Sequence, residues 1–508
     1  MHPFQLKPLS AACAAACALF ATSSQAAVLD TSGYTKVMLA GATAPDNFLK
    51  DLATDMLAYT DEITASNYRA FRGTVKAGVP GVAAGTKLLF IKRSKGGSVF
   101  GVDPVARAQR IETFDFNNCT QTGGSGTTAD PAKWTCGLKG SDPGTANYAD
   151  AGNAGEVPDF GVSDVEPKMF QQPLNTENNA PQLTSAELGN FASFKPVNQL
   201  MMGIVTTAAV PETLHIGRSQ YGQMLSNRIQ DWTQIDDTLA GNTQVVVCRR
   251  VPGSGTQTSY NWFFNNFPCS QGIAVPPAVV TDSFGYGSGS GTEADPIVID
   301  PTQGYTVVEN SSSGDVRNCL ANAQDHKDHK VKGAFDKWYL VQFSNSTEPF
   351  RAIGVLSLDS YSNSVLTGGK AYFRPLDGWG KFDAAAQSCA SAGGCSGALP
   401  SKANLAQGRY DFVVELSMQY RGRSVTNVHG DVVAALAGTK KSFVDEFIKR
   451  AGKPEFLRSP INSVPNAYAA LPEQPSLGVG FDPSLYAANE VSYYSREGNT
   501  CKPLRRFF

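Results

Sequence analysis

The sequence predicts an α/β fold in two or more lobes, and three observations carry that expectation. Strand-like apolar runs are repeatedly followed by a short loop of Gly, Ser or Pro and then by an amphipathic helical stretch, the alternation that builds sheets covered by helices. The chain remaining after a leader, about 480 residues, is long for one simple hydrophobic core. Val197 to Val210 reads as a strand long enough to cross from one lobe into the other.

The elements follow in order. Met1 to Lys7 are mildly basic, Leu9 to Ala21 form an apolar run, and Ser24-Gln25-Ala26-Ala27 supplies small residues for cleavage. This is the layout of a secretory signal peptide over residues 1–27, with a mature start near Ala27 or Val28 and a periplasmic or secreted destination. Ser10 and Ala14 stand three residues before Cys13 and Cys17, where a lipoprotein signal has Leu. No later stretch reaches about 18 uninterrupted apolar residues, so no transmembrane helix is expected. A net charge of −2, with 17% charged residues and no basic block, argues against nucleic acid as a partner.

A strand over Tyr34 to Ala40 ends at Gly41, and Ala42-Thr43-Ala44-Pro45-Asp46 leads into a helix with Phe48, Leu49, Leu52, Met56 and Leu57 at helical spacing. Asp46 or Asn47 can cap it. Lys87 to Ile91 form a second strand, followed by Lys92-Arg93-Ser94-Lys95-Gly96-Gly97-Ser98 and a helical stretch. Thr120 to Gly155, rich in Gly, Thr, Asn, Asp and Ala, reads as a surface insertion, and Phe160 to Pro167 follows it. Ile216 to Trp232 is expected to be helical, Val245-Val246-Val247 a buried strand, and 281–304 a loop. Ala352 to Leu356 and Asp411 to Met418 are further strands, and Asp431 to Ala437 and Lys441 to Ala451 are expected helices. The expected division places 28–200 and 405–508 in one lobe and 201–404 in the other.

Eight cysteines follow the leader, an even number that favours disulfides in an oxidising compartment. Proximity suggests Cys119–Cys136, Cys248–Cys269 and Cys389–Cys395, leaving Cys319 with Cys501. Zinc is the weaker alternative, because no C-x-x-C pair exists.

Gly253-Ser254-Gly255-Thr256 carries the chemistry. A Gly-rich turn opening a helix offers unpaired N–H groups, hydroxyl donors and the positive end of the helix dipole, which suits an anion. The same tetrapeptide recurs at Gly124–Thr127 and Gly289–Thr292, both in low-complexity loops. Only the copy at 253 follows an apolar strand and opens a helix bearing Tyr260, Phe263, Phe264 and Phe267. Arg250, three residues earlier, can add a charge-assisted bidentate contact.

With these motifs the chain resembles the phosphate-binding protein of bacterial phosphate ABC transporters, and more broadly the type 2 periplasmic binding proteins. The matching stretches are Gly41-Ala42-Thr43-Ala44-Pro45, Ser94-Lys95-Gly96-Gly97, Gly161-Val162-Ser163-Asp164, Arg250 to Thr256, and Ala352-Ile353-Gly354-Val355, with the segment Tyr221 to Trp232 between them. They cover most of 34–360. The resemblance implies a ligand held between the lobes by Thr43, Ala44, Ser94, Asp164, Arg250, Ser254, Gly255 and Thr256. Asp164 would accept the phosphate proton, so that a fully ionised anion such as sulfate is repelled. Val251 and Pro252 replace the family's Ser and Asp, the latter of which orients the arginine. Pro45, Asp46 and Asn47 replace its Thr-Phe-Pro, placing an acidic residue at the helix start.

No nucleophile elbow, no phosphate loop ending in Gly-Lys-Ser/Thr and no His-Glu-x-x-His occurs. Asp325-His326-Lys327-Asp328-His329-Lys330 reads as a solvated charged loop rather than a metal site. The expectation is a monomeric, non-enzymatic solute-binding protein without cofactor or metal, taking phosphate or a related oxyanion and working with an inner-membrane ABC permease. The alternatives are an extracellular interaction protein on the same scaffold and a secreted phosphatase-like hydrolase.

Overall fold

In the computed structural model, residues 28–508 are described except 146–147, 149–151, 173–174, 177–179, 271–288, 334–335, 474–488 and 508. The expected signal peptide lies outside the described residues. The strands are β1 (Thr35–Gly41), β2 (Leu57–Ala65), β3 (Tyr68–Val75), β4 (Lys87–Arg93), β5 (Thr113–Gly123), β6 (Ala132–Lys139), β7 (Phe160–Ser163), β8 (Phe191–Thr207) and β9 (Val246–Arg250), followed by Thr306–Asn310, Ala352–Ser357 and Val413–Arg421. All belong to one sixteen-stranded sheet that runs through both lobes.

The fold is α/β and two-lobed, with one sheet passing from one lobe to the other. β8 makes the passage. Its first part pairs antiparallel with Val413–Arg421, down to Met201 opposite Val413. From Met202 onward its partner is Ala352–Ser357. Seventeen residues of strand thus serve two sheet halves, which is why the apolar run around Val197–Val210 is so long.

In the first lobe β1 lies parallel to β4 on one side and β7 on the other. Both faces of β1 are buried: Val37 and Leu39 enter one core cluster, Met38 and Ala40 another. β4 divides in the same way, with Leu88 and Phe90 on one face and Leu89 and Ile91 on the other. Continuous apolar strands are what a sheet covered on both sides requires. Helix α1 (Asp46–Met56) and the helix Gly438–Ala451 cover the first face, where Phe90 stacks on Phe447 at 5.4 Å between ring centroids. In the second lobe β9 lies between Thr306–Asn310 and Ala352–Ser357, all parallel.

Several expectations are corrected. The insertion is not merely a surface loop: β6 pairs with β2 and extends the main sheet, and its Trp134 indole donates to Asp61 Oδ1 (2.9 Å). The helix expected over Ile216 to Trp232 is shorter, Arg218–Leu225. Asp431 to Ala437 is not helical, because Val432–Val433 pairs with Val425–Thr426 across a turn in which Asn427 Oδ1 accepts the N–H groups of His429 and Asp431. A β-branched pair after an Asn-Val-His-Gly turn favours a hairpin over a helix. His329 is not solvated; it is 3% exposed, bonded through Nε2 to Asn310 Oδ1 (3.0 Å), and burial lowers its pKa to about 4.

Cys119–Cys136 and Cys389–Cys395 are paired as proximity suggests. The other two pairings are exchanged: Cys248 bonds Cys319, and Cys269 bonds Cys501. Cys248 lies in β9 under the covering helix Ser313–Gln324, so its nearest thiol in space is 71 residues away in sequence. Tertiary packing overrides sequence distance here.

Candidate functional site

Two sets of three parallel strands, β1, β4 and β7 in one lobe and β9, Thr306–Asn310 and Ala352–Ser357 in the other, bring their carboxyl ends towards the crossing of the sheet. In open α/β sheets the ligand crevice lies outside such strand ends. Thr43 follows β1, Ser94 follows β4, Asp164 follows β7 and Arg250 ends β9, so each arises from a strand-then-polar-loop signal in the sequence.

Arg250 is 1% exposed and points into the space between the lobes. Pro252 stands where the resemblance expects an orienting Asp, and main-chain carbonyls hold the guanidinium instead. Nε donates to Asn310 O (3.1 Å) and Nη2 to Ser311 O (2.7 Å), while Nη1 reaches Thr43 Oγ1 across the cleft. Ser313 Oγ completes the group, 2.9 Å from Thr43 Oγ1 and 3.5 Å from Arg250 Nη1.

The helix Gly255–Asn265 starts beside this cluster. Gly253, at φ +85°, turns the chain, and Ser254 Oγ accepts the Gln257 N–H, so that hydroxyl caps its own helix. Gly255 and Thr256 occupy the first two helical positions, whose N–H groups have no intrahelical acceptor. Thr256 Oγ1 donates to Asp164 Oδ2 at 3.3 Å. Glycine is required at 255, since a Cβ there would lie 2.3 Å from Ser98 Oγ and 2.7 Å from Asp164 Cβ. Gly97 is held less closely, 3.0 Å from Ser254 Cα and 3.1 Å from Arg250 Nη2 at the Cβ position. The Val99 N–H donates to Gly253 O (2.9 Å), a main-chain bond between the lobes.

Asp164 is 1% exposed. Its N–H donates to Ser98 Oγ (3.1 Å), and its Oδ1 is buried without a hydrogen-bond partner among the described residues. Burial raises its pKa to about 6 against the opposing pull of the Arg250 guanidinium. A carboxyl group in this state can accept a proton from a ligand or share one with it.

Two expected residues do not join the cluster. Ser94 Oγ donates to Asp46 Oδ1 (2.9 Å) and receives Lys92 Nζ (2.8 Å), so it belongs to a neighbouring ion-paired group. Ala44 offers its carbonyl to Ser357 Oγ (2.6 Å). The amino end of α1 is closed by a residue the sequence did not single out. Asp359 accepts the N–H groups of Asn47 (2.9 Å) and Phe48 (3.1 Å) and the Tyr468 hydroxyl (2.7 Å). It supplies a built-in hydrogen-bond acceptor where the resemblance placed part of the ligand, although burial raises its pKa to about 7. Ser98, Lys92 and Ser313 were also missed. Ser311-Ser312-Ser313 after an apolar strand repeats the pattern that marked Ser254 and was the available signal for the last of these.

Among the described residues no cluster of His, Cys, Asp and Glu could hold a metal ion, and no helix is long and apolar enough to cross a membrane.

No family model matches the chain, and no curated protein does. Solved structures do match. A human phosphate-binding apolipoprotein is 13% identical, over 85% of this chain and 90% of its own, with a TM-score of 0.41. An ABC-type phosphate transport receptor from Vibrio cholerae is 12% identical, over 81% and 93%, with a TM-score of 0.33. PstS from Borrelia burgdorferi is 13% identical, over 84% and 93%, with a TM-score of 0.30.

Proposed function

We propose that this chain is an exported solute-binding protein that takes phosphate in the cleft between its lobes and delivers it to an inner-membrane ABC permease. The observation that carries this reading is the buried Asp164 carboxyl, whose Oδ2 meets Thr256 at a helix amino end and whose Oδ1 has no hydrogen-bond partner among the described residues, within the electrostatic reach of the Arg250 guanidinium. Cation and open N–H groups suit an oxyanion; a carboxyl group among them suits only one that brings a proton. Phosphate keeps a proton at neutral pH and sulfate does not. Thr43, Asp164, Arg250, Gly255 and Thr256 form the ligand shell in this reading, and Ser254 holds the helix that presents two of them. The protein's part is binding and handing over, with no bond made or broken.

Isothermal titration of the mature protein tests it. Phosphate should give heat that sulfate does not, and Arg250→Gln should weaken phosphate binding at least a hundredfold, a fall of about 3 kcal/mol or more for a buried charged contact. Absence of heat with phosphate from a folded, disulfide-intact sample would overturn the reading.

A further inference from the structure

A cavity of about 340 Å³ opens beside Ser94 at the edge of the central cluster. Four cationic side chains line it, Lys50, Arg69, Lys92 and Arg317, against the single carboxylate of Asp46. Lys92 pairs with Asp46 at 3.2 Å, which leaves the wall with an excess of positive charge. Arg69 and Lys50 reach Glu62 (3.4 Å) and Asp51 (3.1 Å), carboxylates that do not line the cavity.

Arg317 is the residue that gives the cavity its meaning. It comes from the second lobe, whereas the other cations come from the first. It has no carboxylate within salt-bridge distance among the described residues, and its described side-chain hydrogen bond runs from Nη1 to Ser360 Oγ (2.9 Å). Asp359, Asp46 and Asp315 act on it only from beyond that distance, so of the five donors of the guanidinium most remain for something else. Arg317 also stands one helical turn after Ser313, which touches Arg250 and Thr43. Residues four apart lie on one helix face about 6 Å apart along the axis. Cavity and central cluster are therefore consecutive along a single helix face. Lys92 ties them from the other side, donating to Ser94 Oγ in the cavity wall and to Ala42 O beside Thr43.

We propose that the cavity holds the further phosphoryl groups of a condensed phosphate whose terminal group occupies the Arg250 cluster. This rests on the oxyanion reading above and extends it from a single phosphate to a short phosphate chain. Clustered cations on a low-dielectric wall attract a multiply charged anion more than a singly charged one, and an arginine fork matches phosphoryl oxygens.

The test is titration of the mature protein with phosphate, pyrophosphate and tripolyphosphate, for the wild type, Arg317→Gln, Lys50→Gln and Arg250→Gln, with melting curves as a folding control. Tripolyphosphate should bind at least tenfold tighter than phosphate. Arg317→Gln should remove that gain while leaving phosphate within about twofold of the wild-type affinity, and the more exposed Lys50→Gln should remove part of it. Arg250→Gln should abolish both ligands. Equal affinity for phosphate and tripolyphosphate, or an equal loss of both in Arg317→Gln, would overturn the extension and leave the phosphate reading standing. Tripolyphosphate binding that survives Arg250→Gln would detach the cavity from the cluster and overturn the proposal. No heat from any anion would overturn both.

Discussion

Asp164 shows how one residue can be unfavourable to the fold and useful to the site. Burial lifts its pKa from 3.8 to about 6 even with Arg250 nearby. The unfolded chain gives up this proton first, so the folded state binds more protons between those two values. The contribution of Asp164 to stability is therefore highest below about pH 4, falls as pH rises towards 6 and then levels off, by about 3 kcal/mol for two pH units. Asp164→Asn should stabilise the ligand-free protein at pH 7.5 by up to that amount and change little at pH 4, read from melting curves across the range. The same substitution removes the negative charge that excludes sulfate, so sulfate should begin to give heat on titration. A variant that melts like the wild type at both pH values would show that the carboxyl is not shut away from water.

At the scale of the element, two helix amino ends meet the cleft with opposite fates. That of Gly255–Asn265 is capped by Ser254 only at Gln257, leaving the Gly255 and Thr256 N–H groups without an intrahelical acceptor; that of α1 is satisfied by Asp359. Asp359→Ala should cost about 1–3 kcal/mol, because it removes the cap and leaves the buried Tyr468 hydroxyl without its acceptor. Chemical denaturation would measure the loss, and an unchanged midpoint would mean that water replaces the carboxylate. The loop at Gly97 predicts a separation of binding from stability. An alanine methyl there would press on Ser254 and the Arg250 fork at a φ of +85°, so Gly97→Ala should weaken phosphate at least tenfold by holding the lobes apart. Titration beside small-angle scattering would reveal both effects.

Across the whole molecule, covalent ties reinforce the crossing of the sheet. Cys248–Cys319 closes 71 residues within the second lobe, and Cys269–Cys501 binds the carboxyl-terminal segment to the loop after the helix Gly255–Asn265 over 232 residues. Chain-entropy reasoning gives about 4 kcal/mol for the Cys248–Cys319 loop and about 2 kcal/mol for the short Cys389–Cys395 loop. Paired serine substitutions should follow that order in denaturation midpoints. Peptide mapping without reduction should recover the 248–319 and 269–501 linkages; recovery of 248–269 would contradict the packing of β9 under its helix.

Local sequence was sufficient where a short segment satisfies itself. Gly124-Ser125-Gly126-Thr127 and Gly289-Ser290-Gly291-Thr292 each run on to Ala-Asp-Pro, and the two loops close alike. Ser125 and Ser290 N–H groups each bond the following Asp carboxylate at 2.8 Å, and the Asp N–H groups bond Thr127 and Thr292 at 3.1 Å. The third copy of the tetrapeptide has no such Asp; it follows β9 and opens a helix instead. Strand periodicity, the polar loops at strand ends and the glycine turn at 253 were legible for the same reason: each is a matter of a few adjacent residues. What depended on distant neighbours was not legible. The exchange of cysteine partners, the engagement of Ser94 by Asp46, the carbonyls of 310 and 311 that orient Arg250, and Asp359 at the start of α1 all join residues far apart in the chain. Sequence determined which loops end strands and open helices, because backbone turns and helix starts are local. Only the tertiary structure decided which of them face one another, because that follows from how two lobes pack around a shared strand.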